Sequence, residues 1–125
     1  MEQVVSTEAR TAPQQPRTFA EFLQQYDGTH AEWVNGEVVP AMPVSIEHQR
    51  SSRFLYTLLS SWVDYHNLGE VYQPPLLVKL PLPEGREVAR EPDIVVILNN
   101  NTGRFEAQYF DGAPDLIVEI VSPAS

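Results

Sequence analysis

The chain contains no cysteine and a single lysine, Lys79. Without cysteine there is no disulfide, zinc–thiolate site, iron–sulfur cluster or thiol nucleophile. Eight basic residues stand against 17 acidic ones, for a formal net charge of -9. Such a surface repels phosphate backbones on average, so tight and indiscriminate nucleic-acid binding is disfavoured. A local divalent-cation site remains compatible with it, because the cation reverses the local charge. No apolar run approaches the roughly 20 residues that span a bilayer. Residues 1–16 have no long apolar core and do not read as a signal peptide, so the expected setting is cytoplasmic, without a membrane partner. There is no Gly-rich phosphate loop, HExxH, EF-hand, zinc or G-x-S-x-G pattern, and there is no internal repeat.

What is present is a globular composition. The 125 residues are 42% hydrophobic and 20% charged, enough for one domain with a core of its own. Residues 1–16 are polar and aperiodic and read as a flexible leader; residues 17–125 read as a single domain. Thr18 with Glu21 forms a capping box, and Phe19, Phe22, Leu23 and Tyr26 recur at helical spacing towards a stop near Asp27 and Gly28. Asn35-Gly36 between two short apolar runs predicts a type I′ hairpin. Ser45 caps the longest helix, expected from about Ile46 to His66, with Leu55, Leu58, Leu59, Trp62 and Val63 as its buried stripe and Phe54 widening it. Strands are expected at 70–72, 76–80, 94–98 and 115–121. The stretch 81–90 reads as a polar loop, and 105–110 as either one helical turn or a loop. The last strand lies close to Ser125 without a covering helix, so the domain is expected to lack its C-terminal elements.

Two strand-like runs each follow a Pro-Asp pair, Pro92-Asp93 and Pro114-Asp115. The second carries one carboxylate, Glu119, among Leu116, Ile117, Val118, Ile120 and Val121. An ionised acid in such a run needs a partner, a proton or a metal. Asp93 and Glu119 on neighbouring strands would present hard oxygen donors to Mg2+ or Mn2+. Glu32 is a third acid with a weaker claim. His48 reads as a surface or packing residue ahead of a substrate contact, Asp115 as the residue that begins a strand, and Lys79 as a snorkelling side chain.

These pieces resemble the Uma2 family of restriction-endonuclease-like proteins within the PD-(D/E)XK nuclease superfamily. The resemblance rests on Thr18–Leu23, Ala31–Val39, Ser45–Gln49, Glu91–Val96 and Gly112–Pro123, in that order. It implies an α/β fold, a mixed central sheet flanked by helices, with the acids at one end of the middle strands. Asp93 then looks like the acid of the PD half and Glu119 like that of the (D/E)XK half, both metal-binding and catalytic. Glu32 is similar to the family's additional early acid. The lysine position two residues after Glu119 holds Val121. The resemblance places that lysine on a helix after the Ser122-Pro123 turn, beyond this chain.

The implied activity is Mg2+-dependent hydrolysis of a DNA phosphodiester by an endonuclease, with Mn2+ as a substitute ion and a homodimer as a possible form. The alternative is a catalytically inactive nuclease-fold domain that binds or assembles.

Overall fold

The structure is a computed structural model that describes residues 15–26 and 28–121. Most of the expected leader, Asp27 and the Ser122-Pro123 turn lie outside the described residues.

Helix α1 runs Phe19–Gln25, and Thr18 Oγ1 accepts from the Glu21 amide at 3.1 Å. The return bond of the expected capping box shifts by one residue: Glu21 Oε1 accepts from the Arg17 amide at 2.9 Å. Strands β1 (Ala31–Val34) and β2 (Glu37–Pro40) form the expected hairpin. Asn35 and Gly36 both take positive φ, 52° and 78°, as a type I′ turn requires. Helix α2 runs Ile46–Tyr65, capped by Ser45 Oγ. Then follow β3 (Gly69–Tyr72), β4 (Leu77–Pro81), a 3-10 turn at Pro83–Gly85, β5 (Glu87–Arg90), β6 (Ile94–Leu98), β7 (Arg104–Phe105), β8 (Tyr109–Asp111) and β9 (Leu116–Val118).

The strands divide between two sheets. A six-stranded sheet has the order β2-β1-β5-β4-β8-β7, and a three-stranded sheet has the order β3-β6-β9. The larger sheet is mixed, because β4 and β8 run parallel while its other pairs are antiparallel. Val78 and Phe110 of the large sheet meet Val95 and Ile97 of the small one, which makes the core between sheets. On its other side the large sheet packs α1 through Phe19, Phe22, Ala31, Trp33 and Ala89. The small sheet packs α2 through Val63, Val71, Ile94 and Val96. β6 is therefore covered on both faces, and this is why Ile94–Ile97 is an unbroken apolar run.

Besides the length of the last strand, three expectations need correction. The stretch 81–90 contains a strand: β5 sits between β1 and β4, pairs with both and buries Val88 and Ala89. Its four residues offer two apolar side chains, and its strand state comes from neighbours on either side. Residues 104–111 are a second small hairpin, β7–β8, not a helical turn. The long helix buries less of its stripe than its periodicity suggested. Val63 is 4% exposed and Leu55 and Leu59 pack on the core, whereas Leu58 and Trp62 are 57% and 61% exposed and Phe54 is also outside. The small sheet is three strands wide and covers only one side of the apolar face.

Candidate active site

The last strand is shorter than the sequence pattern, and that places Glu119. The β6–β9 ladder pairs Ile94 with Val118, Val95 with Ile117 and Val96 with Leu116. The next pair would be Asp93 with Glu119, directly after Pro92, which has no amide hydrogen to offer a ladder. Here side chains replace the main chain. The Asp93 amide donates to Glu119 Oε1 at 3.1 Å, and the Ile120 amide donates to Asp93 Oδ2 at 2.7 Å. Each acid is held by the other's strand. Among the described residues no hydrogen bond reaches Asp93 Oδ1 or Glu119 Oε2.

Glu32, on β1, is fixed at both oxygens. Oε2 accepts from the Glu91 amide at 2.7 Å, and Oε1 accepts from Arg90 Nη1 at 3.2 Å. It thus ties the hairpin to the link between β5 and β6, two residues ahead of Asp93. The three expected acids also share one electrostatic neighbourhood. Burial pushes the Glu119 carboxyl above its ordinary value, and the charges of Asp93 and Glu32 push it the same way. The Asp93 amide and the Arg90 guanidinium act against them.

Asp93 and Glu32 open onto a cleft of about 540 Å3 between the hairpin and the start of α2. His30, His48 and Glu91 add polar groups to its wall, and Val39, Met42 and Val44 supply an apolar side. Glu119 is not among the described lining residues. His30 Nδ1 lies 2.9 Å from Glu91 Oε1.

Among the described residues no group of three or more His, Asp or Glu side chains is arranged to hold a metal ion together. What the structure supplies is a pair, Asp93 and Glu119, with one unengaged carboxylate oxygen each. That donor set suits Mg2+, which takes one or two carboxylates and keeps waters that a phosphate can replace. Lys79 does not join the pair. It bonds Glu87 Oε2 at 3.1 Å and lies 5.1 Å from the centroid of the Phe19 ring, on the α1 side of the sheet. Val121 is exposed.

The family model for Uma2, described as putative restriction endonuclease, matches residues 19–125. The chain belongs to the Uma2 family. The match takes in both helices and all nine described strands, and the Uma2 chain has a restriction-endonuclease-like α/β fold, a mixed sheet flanked by helices with a second sheet beside it. The family's description is of a nuclease-like kind. No curated protein sequence matches the chain. No described helix is long and apolar enough to cross a membrane.

Three contributors to this Uma2 candidate site were weak or silent in the sequence. His48, weighed there as a surface or packing residue, is nine-tenths buried with Nε2 at 3.3 Å from Asp93 Oδ2. Its place in the first turn of a capped helix was the available signal. Glu91 and Arg90 precede the Pro-Asp pair as ordinary-looking charges, and nothing local says that they fasten Glu32.

Proposed function

We propose that this Uma2 domain is a metal-dependent DNA endonuclease whose ion is held by Asp93 and Glu119. The observation that carries the reading is the reciprocal hold of the two acids across the β6–β9 ends, which leaves Asp93 Oδ1 and Glu119 Oε2 unengaged among the described residues. A bound Mg2+ or Mn2+ would supply an activated water and neutralise charge developing on a phosphoryl group. The chain's own residues do the placing. The Asp93 and Ile120 amides fix the direction of both carboxylates. Glu32, through the Glu91 amide and Arg90, fixes the segment that carries Asp93 and adds negative charge beside Glu119, which favours a cation there.

The substrate proposed is a DNA phosphodiester in the cytoplasm, approached despite the net charge of -9 because the cation offsets the acids locally. A homodimer is the form in which two such sites would cut both strands of a duplex.

A second reading is a nuclease-fold domain that binds or assembles without cleaving. It is favoured by Val121 in the lysine position and by the engagement of Lys79 with Glu87. Calorimetric titration with Mn2+, followed by cleavage assays on duplex, single strand and a small phosphodiester, separates the two. Binding lost in both Asp93→Ala and Glu119→Ala, with duplex cleavage lost alongside, is the expected result. Mn2+ binding indifferent to both substitutions would sink the metal assignment and leave the scaffold reading.

A further inference from the structure

We propose that His48 is the positioning residue for Asp93: its Nε2–H, with the Ile120 amide, holds Asp93 Oδ2 so that Oδ1 is the oxygen offered to a divalent cation. The inference rests on the reading of Asp93 as a metal ligand.

The ring is well anchored. The His48 amide donates to Ser45 Oγ at 3.0 Å, which fixes the first turn of α2. The side chain is 9% exposed and its Nε2 lies 3.3 Å from Asp93 Oδ2. Nδ1 is buried and has no hydrogen-bond partner among the described residues. The Nε2 contact and the unpartnered Nδ1 together choose the tautomer. A neutral imidazole has one donor nitrogen and one acceptor nitrogen. A hydrogen on Nδ1 would leave a buried donor unsatisfied and aim the Nε2 lone pair at a carboxylate oxygen, two unfavourable contacts at once. A hydrogen on Nε2 satisfies Asp93 and leaves only an acceptor without a donor.

The same choice separates positioning from ligation. To share a cation with Asp93, the ring would need its Nε2 lone pair, and hence a hydrogen on the buried Nδ1, which no described residue is placed to receive. His48 therefore acts on the carboxylate. Oδ2 receives two donors, from Ile120 and His48, and Oδ1 receives none among the described residues. Groups that orient a metal-binding side chain in this way change affinity when removed, typically by about 10–100-fold.

The test is Mn2+ titration of the whole chain as wild type, His48→Gln, His48→Asn and His48→Leu. Glutamine carries an N–H donor to the place of Nε2, asparagine reaches only the place of Nδ1, and leucine fills the volume without a donor. Binding at least about tenfold weaker in the leucine and asparagine proteins, with glutamine close to wild type, is the expected pattern. Thermal melting without metal checks that each variant folds, and the glutamine–asparagine contrast carries the comparison if leucine does not. Leucine binding as wild type does, or glutamine as weak as leucine, overturns the positioning role. Nitrogen NMR of the metal-free protein reads the tautomer directly, and a hydrogen on Nδ1 overturns it too. A wild type that binds no Mn2+ removes the carboxylate site and this inference with it. Binding that needs Asp93 and Glu119 but ignores all three His48 variants removes this inference alone.

Discussion

Asp93 and Glu119 stand opposite each other at the end of the β6–β9 ladder, and each carboxylate accepts from the backbone of the other's strand, at 3.1 Å from the Asp93 amide and 2.7 Å from the Ile120 amide. The acids thereby finish the pairing that Pro92 cannot. Their directions are set by the same geometry that sets strand register, so the metal-binding role proposed for them is tied to the fold itself.

Asp93→Asn and Asp93→Ala should separate folding from metal binding. Asparagine keeps a carbonyl oxygen for the Ile120 amide, whereas alanine leaves that amide without its partner, at a cost of about 1–3 kcal/mol. Chemical denaturation should show the alanine protein clearly weakened and the asparagine protein near wild type. Mn2+ titration should show both unable to bind.

Glu119 sets one pH dependence. Its folded value lies above the ordinary 4.5, so the folded chain holds the proton more tightly than the unfolded one. The associated stability is fully present below about 4.5 and is lost as pH rises through the raised folded value. Relative to Glu119→Gln, the wild type should lose stability over that window in denaturant melts. Mn2+ affinity should move the other way and fall as pH drops through the same window, because the ligand must be ionised.

Asp115 sets another, with the opposite sign. Its Oδ2 accepts from the Leu98 amide at 2.7 Å and from Asn101 Nδ2 at 2.9 Å. These bonds, the Leu98 amide first, hold the carboxyl below its ordinary 3.8. The stability it contributes is present above that ordinary value and lost as pH falls through the depressed folded one. Asp115→Asn should flatten the acid limb of a stability–pH curve: the variant should be less stable than wild type at neutral pH and converge with it as pH falls through the depressed value.

Glu32→Ala should weaken the chain by about 1–3 kcal/mol, because the Glu91 amide loses its acceptor. Glu32→Gln keeps an acceptor there and should recover most of that loss in a urea melt. Duplex cleavage, if Glu32 acts by placing Asp93, should follow the same order.

Helix α2 offers a test of packing. Leu58→Ala should stay within about 0.5 kcal/mol of wild type, as expected of an exposed position. Val63→Ala, at a buried one, should lose about 1–3 kcal/mol through two missing methyl groups and the space they leave. Equal losses at both sites would mean that the outer face of the helix is covered in solution.

Much of the local structure was legible in the amino-acid order. The Thr18 and Ser45 caps, the Asn35-Gly36 turn, the long helix and the β6 run follow from side chains acting on their own or adjacent backbone, and such effects reach a few residues at most. Asp93 and Glu119 also stood out, because a carboxylate beside or within an apolar strand has no cheap bland solution. Tertiary structure decided the rest. Whether Glu87–Arg90 is loop or strand depends on β1 and β4, more than 50 and about ten residues away in sequence. Which side of α2 is buried depends on the width of a sheet that the helix does not itself contain. His48 became part of the site because the start of α2 meets the start of β6, 45 residues downstream. Periodicity says which residues share a face; only the packed chain says what that face meets.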